Sequence, residues 1–176
     1  MPSPSAADAP LILTLQLDEA TQAFFDALRQ KHFPPERNYL AAHLTLFHHL
    51  PGAELSSIEA YLAVRCRPQA PIELRVAGLQ SLGQGVAYSL FSPATEALHR
   101  ELQAHWQAHL TPQDQQRRHP HVTVQNKVKP EQARQLLAEL QADFEPFEAT
   151  GTGLQLWAYR GGPWELLRTF AFGENA

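Results

Sequence analysis

The chain has 176 residues, of which 44% are hydrophobic and 18% charged, and its formal net charge is −4. This length and composition predict one globular domain with a sizeable core and exclude a disordered or fibrous chain. The negative charge argues against tight, non-specific wrapping of nucleic acid, which needs many lysines and arginines. Any phosphate that the protein binds should therefore be bound locally.

The single cysteine, Cys66, cannot form a disulfide within the chain, and the first residues lack the basic leader and long apolar run of a secretory signal. The longest apolar stretch near the start, residues 11–17, is too short to span a bilayer. We therefore expect a cytoplasmic protein without a membrane segment.

The first half of the chain predicts the order strand, helix, strand, helix, strand. Residues 1–9 are rich in proline, serine and alanine and predict a flexible tail ahead of a single bilobal domain over 10–176. Alternating leucines predict a strand over 11–17, and Asp18 is the predicted N-cap of a helix that ends near residue 34. The next elements are a strand at about 42–49, a helix at about 54–67 and a strand at about 71–80.

The same order recurs in the second half of the chain. Its predicted elements are strand 86–91, helix 93–109, strand 121–128, helix 130–142 and strand 147–158, followed by a closing strand at about 164–172. The two copies also contain an identical tripeptide, Gly78-Leu79-Gln80 in the first and Gly153-Leu154-Gln155 in the second. Two copies indicate a duplicated lobe, about 10–80 and 85–158, rather than a solenoid. An approximate two-fold axis would then place equivalent strands across a cleft.

Each copy contains one H-x-T triplet on a predicted strand, His43-Leu44-Thr45 and His121-Val122-Thr123. Side chains alternate along a strand, so the polar residues of each triplet should share one face. The cleft face of the two strands is therefore predicted to present His43, Thr45 and Phe47 from the first copy, and His121, Thr123 and Gln125 from the second.

Two imidazoles that flank one small volume suit in-line displacement at phosphorus. One histidine can accept a proton from the attacking oxygen while the other donates a proton to the leaving oxygen, because an unperturbed pKa near 6.5 permits both forms. The hydroxyl groups of Thr45 and Thr123 can donate hydrogen bonds to the non-bridging phosphate oxygens. This scheme requires no metal, and the pattern does not say which histidine is the base.

The paired motifs resemble those of the 2H phosphoesterase superfamily, specifically the 2'-5' RNA ligase and RNA 2',3'-cyclic phosphodiesterase-like proteins. The motifs are His43-Leu44-Thr45-Leu46 and His121-Val122-Thr123-Val124, the second preceded by Pro120. The resemblance implies an α+β fold with duplicated β-α-β-α-β lobes, mostly antiparallel sheets around a central cleft and pseudo-two-fold symmetry.

The resemblance also implies a function. His43 and His121 would be the catalytic acid and base, and Thr45 and Thr123 would bind phosphate. The implied reaction opens a 2',3'-cyclic phosphate to a 2'-phosphate or, in some members, joins or cleaves 2'-5' RNA linkages. The expected protein is a monomer without cofactor or metal, and its partner is a nucleotide or RNA-end substrate. A mononucleotide, a short oligonucleotide end and a cyclic phosphate of a nucleotide sugar all remain open.

Further residues are weaker candidates for substrate binding. Phe47 is the leading candidate to stack on a base, Gln125 shares the predicted cleft face, and Arg118 lies in a polar loop that could close over a phosphate. Other aromatic candidates for stacking are Tyr88, Trp157, Tyr159 and Trp164. Two alternatives compete with the phosphodiesterase hypothesis: a nucleotide- or RNA-end-binding module without turnover, and a metal-dependent hydrolase that uses His105 and His109.

Overall fold

The computed structural model describes residues 8–117 and 119–173, which contain seven strands and four α-helices. In chain order they are β1 (Leu11–Leu17), α1 (Glu19–His32), β2 (Leu44–Leu50), α2 (Leu55–Cys66), β3 (Ile72–Ser81), β4 (Val86–Phe91), α3 (Pro93–His105), β5 (His121–Gln125), α4 (Pro130–Ala142), β6 (Phe147–Ala158) and β7 (Glu165–Ala171). Within the described part of the chain, no helix is long and apolar enough to cross a membrane. Ala9, at the end of the predicted tail, is buried.

The sequence predicts the type and order of these elements correctly, and two of its predicted ends are wrong. The helix predicted over 93–109 ends at His105 and is followed by a separate 3-10 turn. The strand predicted over 121–128 ends at Gln125. The chain leaves the sheet there because Lys127 has a left-handed backbone with φ of 64°, which a strand does not permit.

The sheet is antiparallel throughout, and its strand order reflects the duplication. The order is β2-β1-β6-β3-β4-β5, and β7 pairs with the second part of β6. If each strand of the first repeat is exchanged with its equivalent in the second (β1 with β4, β2 with β5, β3 with β6), the same strand order is obtained in reverse. An approximate two-fold axis therefore passes between β6 and β3. Each half of the sheet therefore takes two strands from one repeat and the third strand from the other.

The N-caps of the first helix in each repeat also correspond. Asp18 accepts a hydrogen bond from the backbone N–H of Thr21 (2.9 Å), as predicted for the start of α1. Ser92 accepts the equivalent bond from Thr95 at the start of α3 (3.2 Å). Capping satisfies a backbone donor that the first turn of a helix leaves without a partner.

The first helix of each repeat also packs on a strand of the other repeat. Helix α1, from the first repeat, packs on β5 of the second. In α3, from the second repeat, the His99 ring stacks on Phe47 of β2 at 4.8 Å, and its Nε2–H donates to the Leu46 carbonyl (3.1 Å). The two strands that carry the motifs lie at opposite ends of the sheet order and yet contact each other. The sheet therefore curls so that its two edges meet.

A buried carboxylate ties the segment before β5 to the edge of β2. Asp114 is 0% exposed, and its oxygens accept hydrogen bonds from the backbone N–H groups of His48 (2.9 and 3.0 Å) and His49 (2.8 Å). Burial acts to raise the pKa of Asp114, but the hydrogen bonds from His48 and His49 outweigh burial and lower it below its usual value. The carboxylate thus stays charged and holds the two motif-bearing segments together.

We predict that Asp114→Ala lowers the free energy of unfolding by about 3 kcal/mol at pH 7, because the backbone N–H groups of His48 and His49 lose a buried, charged acceptor. The folded-state pKa is lowered, so this contribution is present above the unfolded-state pKa near 3.9 and is lost as the pH falls below that value. Urea unfolding at pH 7 and at decreasing pH measures both effects. The control is Asp143→Ala, which removes an exposed carboxylate. Equal losses in the two variants would contradict the prediction.

Candidate active site

The two motif histidines are held by the same local hydrogen bond. His43 directly precedes β2, and its ring Nδ1 lies 2.8 Å from the carbonyl oxygen of Ala41. His121 begins β5, and its Nδ1 lies 3.2 Å from the carbonyl oxygen of His119. A carbonyl oxygen can only accept, so each Nδ1 carries the proton. In the neutral form of each ring, Nε2 then carries the lone pair.

Helix α1 fixes the backbone that leads into His43. The Ala42 N–H donates to Asp26 Oδ1 (2.7 Å), while the Gln22 side chain donates to the Ala42 carbonyl (2.8 Å). Gln22 also donates to Asp26 (3.0 Å), so the two side chains act as one clamp. Sequence reasoning missed this clamp. Its signal is the spacing of four residues between Gln22 and Asp26, which places both on one face of a helix.

A buried arginine in the same helix lies between the motifs. Arg29 is 4% exposed, and its Nη1–H donates to the Thr123 carbonyl oxygen in β5 (3.0 Å). Its positive charge also acts on His43. Arg29 was not among the predicted site residues, although its position was a signal: Thr21, Phe25 and Arg29 recur every four residues on the buried stripe of α1. A guanidinium on that stripe needs a polar partner or an anionic ligand.

The surroundings of His43 hold its ring in the neutral form. Burial of the ring lowers the pKa of His43 to about 4, against the opposing effect of the bond to the Ala41 carbonyl. The charges of Arg29, His48 and His121 lower it further. The influence of His121 means that the two motif histidines are near enough for their charges to interact.

The motif threonines occupy equivalent places in the two halves of the sheet. Thr45 pairs across β2 and β1 with Thr14, which pairs with Gln155 in β6. In the other half Thr123 pairs with Ala87, which pairs with Gln80 in β3. Residues opposite each other in an antiparallel pair share a face. Thr45 therefore shares a sheet face with Gln155, and Thr123 shares a sheet face with Gln80, the equivalent glutamine of the other repeat.

The two motifs lie close together. Thr45 of the first motif and Pro120, which precedes the second, line the same small cavity. The contact between β2 and β5, the bond from Arg29 to Thr123 and the charge interaction between the histidines support the same conclusion.

An open cavity of about 790 Å³ lies beside His43. The Trp164 ring borders it and lies 4.6 Å from the His43 ring between centroids, while Trp157 donates its indole N–H to the Thr14 hydroxyl (2.9 Å). Tyr39, on another wall, is 67% exposed. Small-molecule sites commonly measure about 300 to 1,000 Å³. This cavity has room for a nucleotide and aromatic rings that could contact a base.

Comparison with protein-family models shows which family the chain belongs to. The family model described as the 2'-5' RNA ligase superfamily matches residues 17–163, well over half of the chain. The chain belongs to the 2'-5' RNA ligase superfamily. The resemblance drawn from the two H-x-T-x motifs is therefore confirmed, together with the duplicated α+β fold. No curated protein matched the chain.

Solved structures share the fold of this member of the 2'-5' RNA ligase superfamily at low sequence identity. TT0787 of Thermus thermophilus is 18% identical with a TM-score of 0.65, covering 95% of this chain and 100% of its own. A structure described as a phosphoesterase is 20% identical with a TM-score of 0.64, covering 95% and 99%. LigT of E. coli, complexed with NADP+, is 24% identical with a TM-score of 0.59 and the same coverage.

Two predicted contact residues of this superfamily member are turned away from the cleft by equivalent irregularities. In β2 the register shifts between the pairs Leu13–Phe47 and Thr14–Thr45. Leu13 and Thr14 point to opposite faces of β1, so Phe47 lies on the core side, opposite to Thr45. Phe47 is 0% exposed and packs on His99 and Trp106. The prediction that Phe47 stacks on a base is therefore wrong.

The same shift affects Gln125 in the equivalent strand of the second repeat. The register changes between the pairs Val86–Gln125 and Ala87–Thr123, which places Gln125 on the face opposite to Thr123. Gln125 is 3% exposed, and its Oε1 atom has no hydrogen-bond partner among the described residues. The prediction that Gln125 shares the cleft face is therefore wrong as well.

The remaining candidates of the sequence analysis have separate outcomes. Arg118 lies outside the described residues. Among the aromatic candidates, Trp157 and Trp164 line the cavity beside His43, Tyr88 is buried, and Tyr159 is exposed. The His105 ring stacks on Tyr61 at 3.6 Å. No three His, Cys, Asp or Glu side chains of the described residues group closely enough to hold a metal ion.

We predict that the His43 ring of the free protein stays neutral down to a pH of about 4, because burial and nearby positive charges disfavour the imidazolium. A two-dimensional NMR titration of the ring, assigned with His43→Gln, measures this directly. The unfolded chain binds the proton near pH 6.5, so wild-type stability should fall relative to His43→Gln as the pH drops from about 6.5 to about 4. A midpoint near 6.5 in the folded protein would contradict the prediction.

Proposed function

We propose that the protein is a phosphodiesterase that hydrolyses the 2',3'-cyclic phosphate of a nucleotide or RNA end to a 2'-phosphate. One observation carries this proposal: in a member of the 2'-5' RNA ligase superfamily, two histidines at the start of equivalent strands have the same Nδ1 contact with a backbone carbonyl, and these two strands contact each other. Proton transfer on both sides of a phosphorus atom needs this pair of groups.

The proposed reaction assigns one proton transfer to each ring. Neutral His43 accepts a proton at Nε2 from a water molecule as the water oxygen bonds to phosphorus. The bond from phosphorus to the 3' oxygen breaks in line with this attack, and protonated His121 donates its Nε2 proton to that oxygen. The product carries a free 3' hydroxyl and a 2'-phosphate. His43 has the base role because its lowered pKa keeps it uncharged at neutral pH.

The non-bridging oxygens of the phosphate gain negative charge during this step. We assign the hydroxyls of Thr45 and Thr123 as hydrogen-bond donors to these oxygens, as the motifs imply. Arg29 supports the same charge from behind the Thr123 backbone, since its guanidinium is buried and forms no ion pair with another described residue. An anion between the histidines would also raise the pKa of both rings.

The cavity beside His43 suits the nucleoside part of the substrate. Its volume of about 790 Å³ and the rings of Tyr39, Trp157 and Trp164 permit a base to bind next to the reacting phosphate. E. coli LigT, which shares the fold, has been crystallised with 3'-AMP, ATP, NADP+ and phosphate. These nucleotide complexes of LigT support a nucleotide ligand for this chain.

The same groups can join RNA ends. If the 5' hydroxyl of a second strand replaces water, His43 accepts its proton and a 2'-5' phosphodiester forms as the 3' oxygen leaves. Microscopic reversibility makes the reverse step a cleavage of that linkage. The description of the superfamily favours this second activity.

We predict that His43→Ala and His121→Ala each lower kcat for opening of 2',3'-cyclic AMP by about 100- to 10,000-fold, because each variant lacks one proton transfer. Nucleotide affinity should change little. Chromatographic analysis of the product as 2'-AMP measures turnover, and calorimetry with 2'-AMP measures binding. The control is His109→Ala, which removes an exposed histidine. Wild-type protein that binds the nucleotide without turning it over would be a binding module and would contradict the proposal.

We further predict that the two histidines can be told apart by leaving group. A p-nitrophenyl phosphodiester of a nucleoside has a leaving group that needs no proton, so His121→Ala should lose far less activity on it than on the cyclic phosphate. His43→Ala should lose similar activity on both. Steady-state kcat for the two substrates provides the comparison, and the opposite pattern would assign the base role to His121.

A further inference from the structure

All three lysines of the chain line one cavity. Lys31, Lys127 and Lys129 surround a space of about 570 Å³ between the end of α1 and the turn that joins β5 to α4. These residues come from distant segments of the chain and meet because α1 packs on β5. In a chain of net charge −4, this is a local concentration of positive charge.

The positive charge of this lysine cavity is largely uncompensated. Of the described residues that line it, Glu36 is the one carboxylate. Among the ion pairs of the described residues, none includes any of the three lysines. The ammonium groups therefore remain available to an anion from solution.

Two of the lysines occupy positions where local structure disfavours them. Lys127 has a left-handed backbone, with φ of 64°, and is the one non-glycine residue of the described chain with a positive φ. Lys129 is the N-cap of α4 and provides no capping hydrogen bond, whereas Ser, Asp or Asn would provide one. Its positive charge is also repelled by the positive end of the helix dipole. Residues that break local rules are often retained for function. Lys31, in the last turn of α1, is favourably placed.

Shared lining residues connect the lysine cavity to the proposed active site through a second cavity. A second cavity, of about 480 Å³, shares Phe33, Glu36 and Lys127 with the lysine cavity. The second cavity also shares Tyr39, with its exposed ring, with the space beside His43. An extended ligand could therefore run from His43 past the Tyr39 ring to the lysines. Exposed aromatic rings along a cationic groove are typical of sites for single-stranded nucleic acid.

We propose that the lysine cavity binds backbone phosphates of a single-stranded RNA whose cyclic end reacts between His43 and His121. The substrate is then an oligonucleotide, and a mononucleotide fills only the cavity beside His43. The position of the reactive end rests on the proposed function, whereas RNA binding by the lysines can be tested without turnover. RNA is favoured over an acidic peptide because the shared lining residues lead from the lysines to a nucleotide-sized cavity with aromatic walls.

The test compares RNA affinity in a lysine variant, designed to keep or improve stability, with that in a charge-matched control variant. In the lysine variant, Lys31→Gln, Lys127→Gly and Lys129→Ser are combined, because glycine suits a left-handed backbone and serine caps a helix. In the control variant, Arg67→Gln, Arg75→Gln and Arg168→Gln remove the same charge from residues outside all three cavities. The probe is a fluorescent hexauridylate that ends in a 2'-phosphate, and fluorescence anisotropy measures its binding.

We predict that the lysine variant binds the hexauridylate more than tenfold more weakly than wild type, with a Tm at or above that of wild type. The slope of log K against log salt should fall by about 2, since single strands contribute about 0.7 for each neutralised phosphate. The control variant should differ from wild type by less than threefold. Turnover of 2',3'-cyclic AMP should be equal in the lysine variant and wild type, because this substrate does not reach the lysine cavity.

Three results would overturn the proposal: unchanged RNA affinity in the lysine variant, an equal loss in the control variant, or displacement of the RNA by polyglutamate of equal charge as readily as by unlabelled RNA. The last result would mean a general anion site. Binding is measured with a product-like end and without turnover. Wild-type protein that binds the probe as predicted but leaves cyclic phosphates intact would therefore contradict the proposed function alone.

Discussion

The site depends on one constraint, which is that the two edges of an open sheet have to meet. The motif strands β2 and β5 lie at opposite ends of the strand order, and nothing in their pairing with β1 and β4 joins them. Side chains make the connection instead. Arg29 reaches the Thr123 backbone from α1, and Asp114 holds the edge of β2 from the segment before β5. Both groups are charged and buried, so removing either one leaves polar groups without partners in the interior.

The backbone carbonyls of Ala41 and His119 orient the rings of the two motif histidines. By accepting from Nδ1, each carbonyl fixes the tautomer of its histidine, so the same local geometry in both repeats leaves the lone pair of the neutral ring on Nε2. A hydrogen bond that spans only two residues forms whenever the strand forms. The tautomer of each ring is therefore set by local structure, whereas the pKa of His43 and the distance between the rings depend on the packing of the two halves.

Much of this structure could be predicted from the sequence, because the repeat fixes element order and the motif pairs His43 with His121. The faces of Phe47 and Gln125 could not be predicted, since alternation fails at a bulge that depends on the partner strand. The helical spacing of Gln22, Asp26 and Arg29 is visible in the sequence, but their partners are not. The clamp contacts Ala42 in the same repeat, whereas Arg29 contacts Thr123 where α1 packs across the other repeat. The meeting of Lys31 with Lys127 depends on the same packing.

The duplication explains why the site has two histidines, and divergence of the copies explains how they can act differently. The clamp of Gln22 and Asp26 on Ala42 has no counterpart in the second repeat, where the equivalent residues are Glu96, Arg100 and Pro120. Proline has no N–H to donate, and arginine in place of Asp26 reverses the charge. An acid and a base must differ in proton affinity to work as a pair. Under the proposed mechanism, the approximate symmetry brings both imidazoles to one phosphorus atom, and the surroundings of His43 keep its ring neutral.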